Sequence, residues 1–281
     1  MLLSRLLALC RREMARVPDA APGEAEHLVS AVTGIPRPRL FLFGDRDTGD
    51  AERLLASLID RRAAGEPLQY VLGRWDFYGR EFRLSRDTLI PRPETEGLVE
   101  RALSVLRRRG TERTLALDVG TGSGAIAVTL AAEASGARVV ATDVSSGALR
   151  TARGNAERHG VSPRVSFVLC DAYSALKCGD RFDVVVSNPP YVAEGEWPSL
   201  PPAVRGHEPP AALLAGPDGL SVLRRLVFGA EGLIAPGGEL WCEIGASQGA
   251  VASKLVSGRL RFLGVFPDLA GRDRYAGWKK P

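Results

Sequence analysis

The chain from Thr114 onward alternates short apolar runs with helical stretches, and this alternation constrains the fold more than any other feature. The strand-like runs are TLALDVG, ARVVATDV, RVSFVLCDA, RFDVVVSN and GGELWCEIG. Strands that alternate with helices build a mainly parallel, doubly wound sheet with helices on both faces. The final stretch, RLRFLGVFPDLAGRDRYAGWKK, predicts two further strands that pair antiparallel. We therefore predict an α/β fold with a Rossmann-like sheet of seven strands.

The residues before this region follow other patterns. Residues 1–70 place apolar side chains at helical spacing and contain no strand-like run, which predicts a small N-terminal helical bundle. Residues 71–92 are predicted to form a connector that contains a β-hairpin, with Gly79 as the first residue of the turn. Pro93 fits the first position of the helix that follows. Residues 93–281 then form the α/β domain.

Composition and charge exclude several classes of protein. Hydrophobic residues make up 45% and charged residues 25% of the chain, which is typical of a globular protein. No apolar run reaches the ~20 residues of a membrane span, and MLLSRLLALCRREMARV lacks the cleavage site of a signal peptide. Residues 1–70 carry ten basic and ten acidic side chains, so they do not form a basic arm for nucleic acid. We expect a cytoplasmic protein that binds neither nucleic acid nor a membrane directly.

The cysteines and histidines do not have the spacing of metal ligands. There is no C-x-x-C pair and no H-E-x-x-H motif. We therefore predict free thiols and no metal site. The residues concerned are Cys10, Cys170, Cys178, Cys242, His27, His159 and His207.

The segment LDVGTGSGAIA follows a predicted strand and opens a helix, as a cofactor-binding loop does. Gly120, Gly122 and Gly124 allow a tight turn and a close approach to a ligand. Asp143 ends the next strand, 19 residues after Gly124, where an acid can bind ribose hydroxyls. Because Gly120-x-Gly122-x-x-Ala125 also satisfies the dinucleotide fingerprint, the glycines alone leave two cofactors open.

A carboxylate just before the loop favours one of these cofactors. Asp118 would repel a pyrophosphate, but it suits a cofactor with an ammonium, a sulfonium and no phosphate, such as S-adenosylmethionine. Asp171 ends the third strand and can accept from the adenine amino group, with Ala172 lining the ring. The predicted cofactor-binding residues are Asp118, Gly120, Thr121, Gly122, Ser123, Gly124, Asp143, Asp171, Ala172 and Asn188.

The fourth strand ends abruptly in SNPPY, where two prolines make a rigid turn. Ligands of open α/β sheets bind at the carboxyl ends of the strands. The Asn188 side-chain oxygen and the Pro189 carbonyl oxygen are two acceptors that can take both hydrogens of a planar –NH2 group. Tyr191 can lie against the flat face of that group. The pattern therefore favours a substrate that carries an amino or amide nitrogen.

This arrangement predicts a reaction that needs positioning more than a strong base. An amide nitrogen is a weak nucleophile because its lone pair is delocalised. Acceptors on its N–H groups raise the electron density on nitrogen and orient it toward a methyl group that is already on a good leaving group. The candidate catalytic residues are Asn188, Pro189 and Tyr191.

Several motifs together identify a resemblance to a known family. They are GEPLQYVLG, FYGREF, LIPRPETE, LDVGTGSGAIA, SNPPYV, HEPPAALLAGPDGL and EIGASQG. In this combination the chain resembles the bacterial release factor glutamine methyltransferases (PrmC/HemK family) along nearly its whole length. The resemblance implies a helical N-terminal domain, residues 1–70, that helps to dock a peptide chain release factor. It implies a C-terminal domain that methylates N5 of the glutamine in the factor's Gly-Gly-Gln motif and so modulates translation termination.

The resemblance also implies roles for individual residues. The cofactor S-adenosylmethionine, which leaves as S-adenosylhomocysteine, would lie on Gly120–Gly124, Asp143 and Asn188. The substrate glutamine would lie on Asn188, Pro189, Pro190 and Tyr191. The family's PRPETE segment lies near the site, which makes Arg92 and Glu94 further substrate-binding candidates.

Two alternative functions remain open at this point. The same chemistry can act on another substrate, either a nucleic acid or a small-molecule amide or amine. A neutral N-terminal bundle argues against nucleic acid, since phosphate contacts need Lys and Arg. The chain can also be a cofactor-binding scaffold without turnover, but such a scaffold has no need for Asn188 or Tyr191.

Overall fold

The computed structural model describes residues 1–110, 113–177, 179 and 182–281, and these divide into two compact units. The first unit comprises Met1–Arg74 and Pro201–His207, and the second comprises Trp75–Leu200 and Glu208–Pro281. The α-helices of the described residues are α1 (Leu3–Met14), α2 (Glu24–Thr33), α3 (Ala51–Ala63), α4 (Leu68–Leu72), α5 (Glu94–Arg109), α6 (Ala125–Glu133), α7 (Ser146–Arg158), α8 (Pro202–His207), α9 (Ser221–Ala230) and α10 (Gly249–Ala252). The strands are β1 (Arg74–Phe77), β2 (Arg80–Arg83), β3 (Leu115–Val119), β4 (Arg138–Asp143), β5 (Val165–Leu169), β6 (Phe182–Ser187), β7 (Ile234–Glu243), β8 (Arg261–Pro267) and β9 (Asp273–Lys279).

The first unit is helical, and α1, α2 and α3 contact one another within it. Buried apolar side chains of α1 and α2, including Leu3, Leu6 and Leu28, form its core. A buried ion pair joins α3 to α2, with Arg62 Nε 2.8 Å from Glu24 Oε2. Removal of either partner would leave an uncompensated buried charge and would destabilise this unit.

The predicted β-hairpin forms from β1 and β2, but its turn lies one residue earlier than we predicted. The residues at the turn are Tyr78 and Gly79, with φ of 52° and 69°, rather than Gly79 and Arg80. Two positive φ angles are typical of a type I′ turn, whose twist matches that of the strands. Tyr78 holds this unusual conformation because its N–H donates to Glu96 Oε1 at 2.7 Å and its hydroxyl donates to Glu100.

Within the described residues, seven strands of the second unit form one sheet in the order β5-β4-β3-β6-β7-β9-β8. The strands β3 to β7 pair in parallel, whereas β9 pairs antiparallel with both β7 and β8. The predictions of a doubly wound, mainly parallel sheet and of a final antiparallel pair are confirmed, and the pair lies at one edge of the sheet. From β3 the chain winds outward to β5 and then returns to β6. The strands β3 and β6 are therefore neighbours at the switch point, where open α/β sheets bind ligands.

The sheet is covered on both faces, and alternate residues of its central strands supply the two cores. Ala116, Val184 and Val186 face a core that also contains apolar residues of α5 and α6. Leu117 and Val185 face the other core, which contains residues of α9 and α10. Successive side chains of a strand point to opposite faces, so burial on both sides explains the nearly continuous apolar runs in the sequence.

Among the described residues, Cys10, Cys170 and Cys242 are free thiols, and no three potential metal-ligating side chains come together. Cys178, which we also predicted to be a free thiol, lies outside the described residues. None of the helices in the described ranges has the length and apolarity that a bilayer crossing requires.

Gly97 of α5 lies against the side chain of Tyr275 in β9. The Tyr275 hydroxyl donates to the Glu94 carbonyl at 2.6 Å, and the Arg101 guanidinium lies 4.0 Å from the centroid of the same ring. A Cβ at Gly97 would lie 2.7 Å from Tyr275 Cζ, closer than real contacts allow. Since the tyrosine ring is rigid and buried, a side chain at this position would force the helix and strand apart.

We predict that Gly97→Ala destabilises the protein although alanine is the better helix former. Overpacking costs about 1–3 kcal/mol, which outweighs the gain of about 1 kcal/mol in helix propensity. The matched control is Gly154→Ala in α7, where an added Cβ meets no atom within 4 Å and the propensity gain stands alone. Urea unfolding monitored by circular dichroism measures both. Equal midpoints for the two variants would contradict the predicted collision.

Candidate active site

The glycine loop between β3 and α6 is held against β4. The backbone N–H groups of Gly120 and Thr121 both donate to the Thr142 carbonyl at 2.9 Å. Gly120, Gly122 and Gly124 have φ of 74°, 56° and 82°, a region that other residues rarely adopt. These angles turn the chain sharply at the carboxyl end of β3, so that the loop borders the space beyond the ends of the strands.

Two carboxylates lie at this loop, as the sequence predicted. Asp143 accepts from the N–H groups of Gly122 and Ser145, each at 2.9 Å. Asp118 Oδ2 accepts from the Thr121 hydroxyl at 2.7 Å and from the Ala127 N–H at 3.1 Å, whereas its buried Oδ1 has no partner among the described residues. Burial raises the pKa of both groups, that of Asp118 to about 7. A positive charge on a ligand at this loop would stabilise the ionised forms of these acids and lower their pKa values.

A pocket of about 390 Å³ opens beside the loop, at the carboxyl ends of β3 and β6. This volume is within the usual range for a site that binds a small molecule or cofactor. The pocket brings together ten of the predicted site residues, namely Gly120, Thr121, Gly122, Ser123, Asp143, Asp171, Ala172, Asn188, Pro189 and Pro190. Residues that belong to separate stretches of the sequence therefore line one cavity.

Five predicted site residues, all within the described part of the chain, do not line this pocket: Asp118, Gly124, Tyr191, Arg92 and Glu94. Asp118 is fully buried beneath the loop. Arg92 forms an ion pair with Glu208, whose side chain is 1% exposed. Glu94 has an exposed side chain, and its carbonyl accepts from Tyr275. Tyr191 is half-buried, and burial raises its pKa, so the phenol stays neutral at physiological pH.

The end of β6 is tied to its neighbours by side-chain hydrogen bonds. The Ser187 hydroxyl donates to the Val119 carbonyl at 2.7 Å and joins β6 to β3. Asn188 Nδ2 donates to Thr95 Oγ1 at 3.0 Å, and Thr95 Oγ1 donates to Glu243 Oε2 at 2.8 Å. This arrangement leaves Asn188 Oδ1 as an acceptor at the pocket wall.

Sequence reasoning missed Thr95 and Glu243. Thr95 is buried and lines the pocket, and it directly follows Glu94 in PRPETE. Glu243 is 1% exposed at the end of β7, and burial raises its pKa to about 7. The available signal was an acid at the carboxyl end of an apolar run in LWCEIG, since Asp143 also ends its strand and Asp118 is the penultimate residue of its own.

A third residue that the sequence did not single out, Gln248, holds the loop after Pro190. Its Nε2 donates to the carbonyls of Tyr191 and Gly219, both at 3.0 Å, while its Oε1 accepts from the Gly245 N–H at 2.9 Å. A Cβ at Gly219 would lie 3.1 Å from the Ala193 N and still nearer the Tyr191 carbonyl oxygen. One amide thus ties together the motifs SNPPYV, HEPPAALLAGPDGL and EIGASQG.

We predict that Gln248→Glu destabilises the protein more at pH 8 than at pH 5. The new carboxylate faces two carbonyl oxygens, which raises its pKa in the folded state above the unfolded value of about 4.3. Above the folded-state pKa, the free energy of unfolding therefore falls by the full amount, about 2–4 kcal/mol. At lower pH the acid protonates and regains one donor, so the destabilisation becomes smaller. Urea unfolding of variant and wild type at both pH values measures the difference.

The matched control is Ser247→Asp, which adds the same charge at an exposed neighbouring position. It should change the free energy of unfolding by less than about 0.5 kcal/mol at either pH. A Gln248→Glu variant whose destabilisation is the same at pH 5 and pH 8 would show that the two carbonyls do not depend on the amide.

Comparison with solved structures supports the fold of this site. The catalytic domain of hMettl16, solved in complex with the MAT2A 3'UTR hairpin 6, superimposes with a TM-score of 0.57. It is 17% identical, and the match covers 79% of this chain and 81% of that one. At this identity the likeness concerns the fold alone.

Comparison of sequences identifies the family. Residues 5–73 match the family model of the PrmC N-terminal domain, and residues 100–199 match that of the methyltransferase small domain. The release factor glutamine methyltransferase of Cereibacter sphaeroides is 42% identical, over 94% of this chain and 92% of that protein. That of Bordetella pertussis is 44% identical, over 90% of this chain and 93% of that protein. The resemblance and the prediction of a methyltransferase are confirmed: the chain belongs to the release factor glutamine methyltransferase family.

Proposed function

We propose that the chain transfers a methyl group from S-adenosylmethionine to N5 of the glutamine in the Gly-Gly-Gln motif of a peptide chain release factor, and so modulates translation termination. Membership of the family supports this reaction. The observation that carries it is the direction of the Asn188 amide. Its Nδ2 is engaged by Thr95, so Oδ1 is the atom offered to a substrate, and an acceptor there requires a substrate that donates.

The residues beside the glycine loop fit this cofactor. A cation beside Asp143, which lines the pocket, would offset the burial that raises the pKa of this acid, whereas Asp118 lies beneath the loop and does not contact the ligand. S-adenosylmethionine, when bound, supplies a methyl group on a sulfonium. Asp143 has lone pairs left for ribose hydroxyls, and Gly120–Gly124 gives the ligand room to approach the backbone. Asp171 and Ala172 bind the adenine. The ion pair between Asp171 and Arg225 can break at a small cost in free energy, because exposed ion pairs are weak.

The substrate amide is bound by the end of β6. Asn188 Oδ1 and the Pro189 carbonyl accept the two N–H hydrogens, and Pro189 and Pro190 keep these acceptors rigid. These two hydrogen bonds raise the electron density on the substrate nitrogen and orient its lone pair. The neutral phenol of Tyr191 packs against the amide face, a role assigned on the resemblance. Arg92 and Glu94 act at the edge of the site, where Arg92 holds the buried Glu208.

The docking of the release factor is assigned to the helical N-terminal domain, residues 1–70. The 3₁₀-helix Arg37–Phe43 leaves three successive apolar side chains exposed, with Phe41 at 68%, Leu42 at 76% and Phe43 at 42%. A contiguous exposed apolar surface is typical of a protein interaction site. Because residues 1–70 as a whole have no net charge, we assign the binding of a protein partner, rather than of a nucleic acid, to this domain.

The central experiment incubates the protein with labelled S-adenosylmethionine and a purified release factor, followed by peptide mass mapping. The proposal expects one added methyl group on the Gly-Gly-Gln glutamine. A release factor with asparagine in place of that glutamine is the matched control, since asparagine keeps the amide group on a side chain that is one methylene shorter. Label on another residue, or no label, would favour the other-substrate alternative.

We predict that Asn188→Ala retains cofactor binding but lowers methyl transfer by about 10²–10³-fold, the usual loss when one group that stabilises a transition state is removed. The dissociation constant for S-adenosylmethionine, measured by calorimetry, should stay within about threefold, because the glycine loop and Asp143 are intact. Turnover equal to that of the wild type would rule out Asn188 as the acceptor.

A further inference from the structure

Three polar side chains from separate elements form a chain of hydrogen bonds behind the pocket wall. Asn188 follows β6, Thr95 is in the first turn of α5, and Glu243 ends β7. The two links measure 3.0 Å from Asn188 Nδ2 to Thr95 Oγ1 and 2.8 Å from Thr95 Oγ1 to Glu243 Oε2. Thr95 is 4% and Glu243 is 1% exposed, so exchange with bulk water does not weaken these bonds.

The number of hydrogens decides the direction of this chain. A carboxylate only accepts, and a threonine hydroxyl has a single hydrogen. When Glu243 is ionised, the Thr95 hydrogen goes to Glu243 Oε2, and Thr95 Oγ1 can only accept from its other neighbour. Asn188 must then turn Nδ2 toward Thr95. The flipped amide would set two oxygen lone pairs against each other without a hydrogen between them.

We propose that Glu243, acting through the Thr95 hydroxyl, is a positioning residue that keeps the oxygen of Asn188 directed at the substrate amide. This inference rests on the proposed function, in which Asn188 Oδ1 accepts from the substrate. Glu243 does not touch the reacting atoms. Its charge makes one orientation of Asn188 much more stable than the other, and only that orientation matches a donor.

Protonation of Glu243 removes this preference. A protonated Glu243 donates to Thr95 Oγ1, and the Thr95 hydrogen is then free to point at Asn188 Oδ1. The amide can flip, and the flipped form presents Nδ2 hydrogens to the hydrogens of the substrate amide. Because burial raises the pKa of Glu243 to about 7, this change falls within the range of an ordinary assay.

The other ionisable groups that face Glu243 act in both directions. Arg274 and Arg92 lower its pKa, whereas Glu94 raises it. Arg274 donates from Nη1 to the Ile244 carbonyl at 3.3 Å and pairs with Asp268, so it is not free to neutralise Glu243 fully. Charged and titratable groups of several elements face Glu243. Arg274 and Tyr275 belong to β9, Glu94 to α5 and Arg92 to the segment before it. Tyr191 belongs to the loop after β6.

The first test removes or restores the hydroxyl. Thr95→Val keeps the shape of the side chain but breaks both links, and kcat should fall about tenfold or more while the dissociation constant for S-adenosylmethionine stays unchanged. Thr95→Ser restores the hydroxyl and should recover most of kcat. If Thr95→Val and Thr95→Ser have equal kcat, the inference is overturned.

The second test measures kcat against pH for the wild type and Glu243→Gln. The wild type should lose activity as pH falls through about 7, where Glu243 protonates. The variant should have a low kcat that does not vary in this range, since its neutral amide permits either orientation of Asn188. Asp118 also has a pKa raised to about 7, so an acidic limb that persists in the variant belongs to another group and overturns the inference.

These outcomes separate the inference from the function on which it rests. A wild-type enzyme that does not methylate the release factor contradicts the proposed function. A wild-type enzyme that does so, and that loses activity in Asn188→Ala but not in Thr95→Val or Glu243→Gln, contradicts the inference alone. Should Glu243→Gln fail to fold, the comparison of Thr95→Val with Thr95→Ser still decides.

Discussion

The parallel pairing of β3 with β6 is the constraint on which the rest of the site depends. It sets Val119 beside Ser187, and the Ser187 hydroxyl locks the two strand ends with a 2.7 Å hydrogen bond to the Val119 carbonyl. The residues that follow these strands are the glycine loop and Asn188. Any slip of one residue in the register would turn Asn188 to the other face of the sheet and separate it from the loop. The glycine loop, which binds the methyl donor, and Asn188, which binds the substrate amide, therefore lie side by side only in this register.

A small number of buried polar side chains then fix the geometry of the loops. Thr95 and Glu243 direct the Asn188 amide, and Gln248 holds the backbone of Tyr191 against that of Gly219. Hydrogen bonds of this kind are strong in surroundings of low dielectric, and each leaves a costly unpaired group if it is broken. The same surroundings raise the pKa of Glu243, so the groups that give the site its rigidity also make it sensitive to pH.

The sequence predicts those features that depend on neighbours in the chain. Strand–helix alternation gives the parallel sheet, and the glycine loop and SNPPY lie where a switch point requires them. The roles of Thr95 and Glu243 were not predictable, since their hydrogen bond joins residues 148 positions apart. Neither PRPETE, which contains Thr95, nor EIGASQG, which contains Glu243, shows which atoms will meet. The contacts of Gln248 with Tyr191 span 57 residues and were hidden for the same reason. The turn at Tyr78 was placed one residue late because glutamates of α5, not local propensity, stabilise its positive φ.

The most direct test is a crystal structure of the protein with S-adenosylhomocysteine and a Gly-Gly-Gln peptide of a release factor. Binding of the substrate by Asn188 and Pro189 predicts that the glutamine amide nitrogen lies about 2.7–3.2 Å from both Asn188 Oδ1 and the Pro189 carbonyl oxygen, the range of a hydrogen bond. It also predicts that Asn188 Nδ2 remains bonded to Thr95. A glutamine whose amide nitrogen contacts neither acceptor, or an Asn188 amide turned away from Thr95, would contradict it.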